Sequence, residues 1–305
     1  MKHIFIVNPY AGRLNFANNL RDQLEQIEGL EYYLFNSRYS GNETELAEKM
    51  TNFFPDEKIR IYACGGSGTF RNVLQGVGEN PNVELAFYPC GQTNDFLKVF
   101  KEEDQWRFFD IEELIDGEVL VLDSMLTNHG RAMNTVSCGL DARVLSLIEK
   151  QHPVRTMGIQ LPYFVHGLQS SFGMRKNSYR VRADGLNFDG FYDEIVVGNG
   201  SWLGGSLCMP KGFYPNDGAE GYILAPSKGK FAFIRLLANL QSQDDRFVSE
   251  HARVGQCKKM ILAKDDKGEM VVNLDGEMIR ASGEWTIELR PDSVQFVVPR
   301  GVTLE

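Results

Sequence analysis

Residues 59–69 read Ile-Arg-Ile-Tyr-Ala-Cys-Gly-Gly-Ser-Gly-Thr, and Phe70-Arg71-Asn72-Val73-Leu74 follows directly. The apolar run predicts a buried strand, the glycines predict a tight turn, and the residues after the turn predict a helix start. Glycines let the backbone approach a phosphate closely, and N–H groups at a helix start point toward a bound anion. The stretch therefore predicts a nucleotide site. Its spacing is neither that of a P-loop nor that of a dinucleotide fingerprint, so a purely structural glycine turn remains the alternative.

The first third of the chain alternates strand and helix patterns. Helices are predicted from Phe16 to Ile27, over Glu43–Phe54 and after the glycine turn. The predicted strands are Ile4–Val7, Glu31–Phe35, Ile59–Cys64 and Val83–Tyr88. This order predicts a doubly wound α/β domain with a parallel sheet, in which ligands bind at the carboxyl ends of strands. The loops at 8–12, 65–69 and 91–95 all follow predicted strands.

From about Val119 the pattern changes to many short strands separated by turns rich in Gly, Asp and Asn, which predicts an antiparallel β-sandwich or barrel. The candidate strands are Val119–Leu126, Ala132–Ser137, Tyr179–Ala183, Glu194–Val197, Gly221–Ala225, Lys259–Ala263, Met270–Leu274, Trp285–Leu289 and Val294–Val298. Helices are predicted near Leu140–Lys150, Arg155–Phe172 and Lys230–Gln241. We therefore expect an α/β nucleotide-binding domain at 1–118, to which residues 294–305 could return, and a β-sandwich domain at 119–293.

The composition limits the classes of function. The chain has 305 residues, 43% of them hydrophobic, and a net charge of −9, which argues against a nucleic-acid partner. The five cysteines form no Cys-x-x-Cys pair, and the histidines share no metal-ligand spacing. Neither a signal peptide nor a membrane-spanning segment is visible. We expect a cytoplasmic protein with reduced thiols.

Four motifs together are more specific than the glycine turn alone. They are Asn8-Pro9-x-Ala11-Gly12, Gly-Gly-x-Gly-Thr at 65–69, Pro89-x-Gly91-x-x-Asn94-Asp95-Phe96 and Leu274-Asp275-Gly276-Glu277. In this order they resemble the diacylglycerol kinase catalytic family, which is related to sphingosine kinases and more distantly to NAD kinases. The resemblance covers nearly the whole chain. It implies an N-terminal α/β nucleotide domain, a C-terminal β-sandwich lipid domain and an active site between them.

The resemblance also implies roles for individual residues. ATP would be held by residues of the three N-terminal loops, namely Asn8, Gly65, Gly66, Ser67, Gly68, Thr69, Asn94 and Asp95. Asp275, in a motif shared with Glu277, would take the proton from the lipid hydroxyl as it attacks the γ-phosphoryl group. Asp217 and Asp123 match acidic positions that support a Mg²⁺ ion. The substrate would be a diacylglycerol-like or long-chain-base lipid at a membrane surface.

The chain departs from the family pattern at four places near phosphate and metal. Ser67 replaces an aspartate of the glycine motif, and Gln92 replaces a threonine. Arg71-Asn72 replaces Asn-Glu, and Asn216-Asp217 replaces a pair of aspartates. A protein that binds nucleotide or lipid without catalysis is therefore one alternative, and a kinase of a soluble acceptor such as a dinucleotide is another. Arg71 could offset the lost charge near the phosphates.

Three local alternatives stay open. Asp275-Gly276, between two candidate strands, is also the pattern of an ordinary hairpin turn. Asp95 could cap a helix that starts at Phe96. The basic, apolar segment Lys228–Leu237 could rest on an anionic membrane at the inner membrane face, or it could be a helix that faces the core. A homodimer is left open.

Overall fold

The structure is a computed structural model that describes residues 1–11, 16–90, 94–139, 142, 177–203, 207–210, 213–243 and 245–305. The chain divides into two compact units. The first comprises residues 1–122 and 292–305, and the second comprises residues 123–291. Within the described ranges, no helix is long and apolar enough to cross a membrane.

Strands and helices alternate in the first unit. Its elements are β1 (Lys2–Val7), α1 (Phe16–Glu25), β2 (Tyr32–Asn36), α2 (Asn42–Phe53), β3 (Ile59–Gly65), α3 (Ser67–Val77), β4 (Val83–Pro89), a 3₁₀ helix (Asp95–Val99), α4 (Glu102–Gln105), a second 3₁₀ helix (Trp106–Phe109) and α5 (Ile111–Ile115). The strands are parallel in the order β2-β1-β3-β4. The second half of the last strand of the chain, β18 (Trp285–Val298), extends this sheet as the parallel neighbour of β4, with Gln295 opposite Glu84.

The sheet of the first unit is buried because helices cover it. Every residue of β3 and β4 is buried, as expected for parallel strands that read as continuous apolar runs. Phenylalanines fill the space beside β4, and the rings of Phe96 and Phe296 lie 5.3 Å apart. The buried guanidinium of Arg60 in β3 pairs with Glu84 of β4 at 2.7 Å. It also donates to the carbonyls of Leu114 and Ile115. This contact fixes the end of α5 to the sheet.

The second unit consists mainly of antiparallel strands. Its strands are β5 (Glu118–Thr127, which begins in the first unit), β6 (Gly130–Ala132), β7 (Thr135–Gly139), β8 (Asn177–Ala183), β9 (Leu186–Asn187), β10 (Gly190–Gly198), β11 (Trp202–Leu203), β12 (Leu207–Cys208), β13 (Glu220–Pro226), β14 (Arg253–Cys257), β15 (Lys259–Lys264), β16 (Met270–Leu274) and β17 (Glu277–Ala281). Its described helices are α6 (Lys230–Gln241) and α7 (Asp245–His251). The main sheet runs β17-β16-β7-β10-β8-β15, and β13 and β14 extend from β10.

Alternation along β10 divides the second unit into two cores. Ile195 and Val197 pack into a cluster among the strands, whereas Val196 packs with Leu236 of α6 and Val248 of α7. Successive side chains of a strand point to opposite faces, so one strand serves both cores. The helices of this unit thus cover one face of its sheet.

The predicted α/β fold of the N-terminal part and the β-rich fold of the C-terminal part are confirmed, and so is the helix over Lys230–Gln241. The single strand predicted over Ala132–Ser137 is wrong, because Met133 and Asn134 turn their N–H groups toward a side chain instead of a neighbouring strand. The two strands predicted at 285–289 and 294–298 form one strand, β18. The helices predicted over 140–150 and 155–172 lie outside the described residues, apart from Ala142.

Candidate active site

The carboxyl ends of β1, β3 and β4 lie side by side, because these strands are parallel neighbours in register. Val7 is opposite Cys64, and Gly65 is opposite Pro89. Hydrogen bonds continue beyond the strands: Asn8 N–H donates to the Cys64 carbonyl at 2.9 Å, and Cys90 N–H donates to the Gly65 carbonyl at 2.8 Å. The loop residues that the sequence predicts as a nucleotide site therefore begin at one edge of one sheet.

The glycine turn ends in an uncapped helix. Gly66 is the N-cap of α3, no side chain caps this end, and the first bond of the helix runs from Phe70 N–H to the Gly66 carbonyl. The N–H groups of residues 66–69 precede that bond and have no partner inside the helix. With the positive end of the helix dipole they form an arrangement that binds phosphate.

Thr69 links the glycine turn to β1. Its side chain is buried, and Oγ1 accepts a hydrogen bond from Asn8 Nδ2 at 3.1 Å. Asn8 Oδ1 in turn accepts from Tyr10 N–H at 3.0 Å. The space that a side chain at Gly65 would need is taken by Thr69, since a Cβ there would lie 2.2 Å from Oγ1. Asn8, Gly65 and Thr69 are thus brought together as one packed unit.

We expect Gly65→Ala to lower the affinity for ATP at least about tenfold and to cost about 1–3 kcal/mol of stability, because Thr69 must leave its site and release Asn8. Gly68→Ala is the matched comparison for stability, since a Cβ at Gly68 meets nothing within 4 Å. Calorimetric ATP titration and thermal unfolding measure the two effects. Unchanged ATP affinity in Gly65→Ala would show that the packing of Thr69 does not shape the site.

Asn94 and Asp95 begin a 3₁₀ helix at Asp95, not an α-helix at Phe96. The predicted capping role of Asp95 is therefore wrong: Asn94 occupies the N-cap, and its side chain makes no capping bond. Asp95 Oδ1 lies 3.6 Å from Lys98 Nζ. The amide oxygen of Asn94 is buried without a hydrogen-bond partner within the described ranges. Gln92 lies outside the described residues.

Asp275 and Gly276 form the two-residue turn of the β16–β17 hairpin, in which Leu274 is opposite Glu277. Both turn residues have positive φ, 50° and 94°, the geometry that favours an Asp-Gly pair. The hairpin interpretation of this motif is confirmed. It does not conflict with a chemical role, because the turn places the Asp275 side chain inside the unit, whereas Glu277 is exposed.

The Asp275 carboxylate is 7% exposed and accepts three consecutive backbone N–H groups. Oδ2 accepts from Met133 at 2.6 Å, and Oδ1 accepts from Asn134 at 3.0 Å and from Thr135 at 2.8 Å. Asp275 N–H also donates to the Thr135 carbonyl. An ionised carboxylate has about four acceptor positions, and these N–H groups occupy three of them. The contacts fix the carboxylate firmly in one orientation.

Asp123 and Asp217 meet at the turn before β13. Asp123 is buried, and its Oδ2 accepts from Gly218 N–H at 3.0 Å. Asp217 accepts from Ala219 N–H and from Gln256 Nε2. Partial burial and, to a lesser extent, the charge of Asp123 raise the pKa of Asp217. Among the described residues, His, Cys, Asp and Glu side chains form no group of three or more that could hold a metal.

Asn199 links the backbone of Asp123 to the segment that donates to Asp275, and the sequence does not reveal this link. The side chain is fully buried, and Nδ2 donates to the carbonyls of Asp123 at 2.7 Å and Met133 at 3.0 Å. Its N–H donates to the Asn134 carbonyl at 2.9 Å. Asn199 therefore holds the segment that carries the donors to Asp275. The sequence shows only the pattern Gly-Asn-Gly at 198–200, which does not indicate these partners.

Two domain families match the chain in succession. Residues 2–127 match the diacylglycerol kinase catalytic domain, and residues 134–298 match the YegS C-terminal NAD kinase beta sandwich-like domain. The chain belongs to the diacylglycerol kinase catalytic-domain family. A diacylglycerol kinase of Bacillus subtilis is 25% identical over 280 residues, covering 89% of this chain and 88% of the relative. One of Staphylococcus haemolyticus is 26% identical over 278 residues, covering 89% and 81%.

Solved structures of diacylglycerol kinases have the same fold as this chain. A crystal structure of a diacylglycerol kinase from Bacillus anthracis matches with a TM-score of 0.67 at 18% identity, covering 99% of this chain and 98% of the other. Another crystal structure from the same organism reaches a TM-score of 0.76 at 20% identity, with the same coverage. At these identities the likeness shows the two-part fold of the kinase family.

The departures from the kinase family pattern fall on described positions in three places. Ser67 is the first residue of α3, directly at the glycine turn. Arg71 is buried, and its Nη1 donates to Asn72 Oδ1 at 3.0 Å, while Asn72 Nδ2 donates to Glu43. Asn216 lies in the turn that Asp123 holds. The glycine turn keeps its backbone donors in this chain, whereas the side-chain charges around it differ from the family.

Proposed function

We propose that this chain is an ATP-dependent lipid kinase, which transfers the γ-phosphoryl group to the hydroxyl of a diacylglycerol-like or long-chain-base lipid. The observation that carries the proposal is the Asp275 carboxylate, held by three backbone N–H groups inside the second unit. Family membership supports the same reaction. The protein would act in the cytoplasm on lipid presented at a membrane surface.

The nucleotide would bind at the glycine turn and the neighbouring loops. Phosphoryl transfer depends mostly on positioning and charge stabilisation, and the N–H groups of residues 66–69 supply preorganised donors for phosphate oxygens. Asn8 would contribute by holding Thr69 in place. Asn94 and Asp95 would complete the nucleotide contacts. The amide oxygen of Asn94 is buried and has no hydrogen-bond partner among the described residues, which supports a role as an acceptor there.

Asp275 would accept the proton of the lipid hydroxyl as the oxygen attacks phosphorus. A carboxylate that accepts a proton in the transition state must keep one orientation, and the three N–H donors hold Asp275 in one orientation. Glu277 follows Asp275 by two residues in the same hairpin and would belong to the same catalytic motif.

Mg²⁺ would supply charge neutralisation at the phosphates. The ion requires only one or two carboxylates, with phosphate oxygens and water as the other ligands. Asp123 and Asp217 fit this sparse set, because Asp123 of β5 accepts from Gly218 N–H beside Asp217, and the charge of Asp123 acts on Asp217. These two residues would hold the ion or support its ligands.

Transfer of labelled γ-phosphate from ATP to a panel of acceptors tests the proposal. The panel contains diacylglycerol and a long-chain base in mixed micelles, and a soluble dinucleotide without micelles. We expect a labelled lipid and no labelled dinucleotide. A labelled dinucleotide without labelled lipid would show that the protein is a kinase of a soluble acceptor. Retained ATP binding without any labelled product would assign a binding protein that has lost catalysis.

Ser67→Asp should raise the rate of lipid phosphorylation about tenfold or more at low Mg²⁺ concentration, because it restores a carboxylate at the start of α3. The same change should leave the free energy of unfolding without ATP nearly unaltered, since an acidic residue is favourable in the first turn of a helix. The Mg²⁺ dependence of both proteins measures the effect. Equal Mg²⁺ dependence would show that the charge of position 67 is irrelevant to the site.

A further inference from the structure

We propose that one edge of α6 docks the protein on an anionic lipid surface. The edge, called the α6 edge below, comprises Lys228, Phe231 and Arg235. The proposal rests on the proposed function, since a lipid kinase must reach a membrane, but the docking can be measured without catalysis.

Burial divides α6 into two faces. Leu236 and Leu240 are buried in the core shared with α7, and Leu237 packs against that core. Phe231, at the other face, is 90% exposed, the largest exposure of any large apolar side chain in the described ranges. Phe231 therefore lies outside the core of this unit and is accessible to another apolar phase.

The α6 edge is continuous on the helix surface. Phe231 and Arg235 are four residues apart, so they lie on the same side of α6, one turn from each other. Arg235 is exposed, and its guanidinium lies 4.5 Å from the centre of the Phe247 ring. Lys228 is exposed just before the helix and donates to the His251 carbonyl at 3.3 Å. One cation therefore precedes the exposed ring in the chain and one follows it, and both contact α7.

The charge of the segment favours anionic lipid over other apolar partners. Residues 228–241 contain Lys228, Lys230 and Arg235 and no acidic residue, whereas the whole chain has a net charge of −9. The neighbouring helix α7 carries Asp245 and Glu250, and Glu250 pairs with Arg246 at 3.3 Å. An aromatic residue between lysine and arginine is the composition of helices that lie in the membrane interface.

The expected strength is that of a reversible contact. Each cation near an anionic surface contributes about fivefold to the binding constant, and insertion of one phenylalanine contributes about tenfold. The attraction by the cations falls with rising salt, because exposed charges are screened. Such a contact lets the protein leave the membrane after each encounter.

Co-sedimentation with vesicles tests the proposal. We use vesicles of phosphatidylcholine alone and vesicles with one third phosphatidylglycerol, at low and high salt. The unaltered protein should sediment with the anionic vesicles at low salt only. Phe231→Ser should weaken this binding about tenfold, and Lys228→Gln with Arg235→Gln about twentyfold. Phe109→Ser, which removes an exposed aromatic residue from the first unit, should bind like the unaltered protein.

Two outcomes would contradict the docking proposal. One is equal vesicle binding by Phe231→Ser and the unaltered protein, and the other is equal binding of the unaltered protein to anionic and neutral vesicles. Thermal unfolding confirms that the variants are folded. Kinase activity on a short-chain, water-dispersed diacylglycerol without vesicles separates this proposal from the proposed function. Loss of vesicle binding with this activity retained supports docking alone, and vesicle binding without any kinase activity would leave docking standing while the proposed function fails.

Discussion

Asp275→Asn should lower phosphoryl transfer to lipid about 100- to 10,000-fold, the range expected when a general base is removed. The amide cannot take the proton of the lipid hydroxyl, because asparagine is not basic near neutral pH. ATP affinity should stay within about threefold, since the nucleotide contacts come from other loops. Transfer assays and ATP titrations on the same preparation measure both quantities.

The structure adds a second consequence to this substitution. The carboxylate accepts three N–H groups, whereas an amide presents one oxygen and one NH₂. If the oxygen keeps Asn134 and Thr135, the NH₂ faces the N–H of Met133, and a donor opposes a donor. We therefore expect a loss of about 1–3 kcal/mol of stability as well.

A control separates the loss of the base from the loss of stability. Asp266→Asn makes the same chemical change in an exposed turn of the same unit, where the carboxylate accepts from Gly268 N–H. It should keep full activity. The assays are run well below the unfolding temperature of each variant. Transfer by folded Asp275→Asn within tenfold of the unaltered protein would exclude Asp275 as the base.

Glu220→Gln should stabilise the protein by up to about 4 kcal/mol at pH 8, and much less at pH 5. Glu220 is fully buried at the start of β13, and neither carboxyl oxygen has a hydrogen-bond partner among the described residues. Burial, with smaller contributions from the charges of Asp184 and Glu288, raises the pKa of Glu220 to about 9. The carboxyl group is therefore neutral in the folded protein.

The sign of the pH dependence follows from this raised pKa. The unfolded chain ionises Glu220 above about pH 4.5, whereas the folded protein keeps the proton until about pH 9. Between these values the folded state binds more protons, so its stability falls as the pH rises, by at most about 1.4 kcal/mol per pH unit. The stability from the neutral carboxyl is complete below pH 4.5 and is lost by about pH 9. Glutamine cannot ionise, so its variant loses this slope.

Urea unfolding at several pH values between 5 and 9 measures the slope. Glu269→Gln is the matched control, because the Glu269 side chain is 56% exposed and should contribute no comparable slope. The two variants make the same chemical change, from a carboxyl group to an amide. A Glu220→Gln variant that follows the pH dependence of the unaltered protein would show that Glu220 is ionised in the folded state.

Local sequence patterns predicted the first unit well because its strands are continuous apolar runs that end in glycine or asparagine. The run at 59–65 is buried throughout and ends at the turn that the glycines indicate. The need for Gly65 itself was not visible, because it depends on Thr69, which packs back over the turn. Tertiary packing of this kind leaves no pattern in sequence.

The second unit was less predictable near Asp275. The Asp-Gly pair predicts the β16–β17 hairpin. The N–H groups that donate to the Asp275 carboxylate, however, belong to residues 133–135, about 140 positions earlier. Those residues looked like the middle of one strand. The role of Asn199 was not predictable either, because its partners are distant in sequence and are backbone carbonyl groups, which every residue has.

The most direct test of the central claim is the transfer of labelled γ-phosphate from ATP and Mg²⁺ to diacylglycerol in mixed micelles by the unaltered protein, measured beside ATP binding. The account predicts a labelled phospholipid whose formation requires Asp275. Bound ATP with no labelled lipid, from diacylglycerol or from a long-chain base, would contradict it.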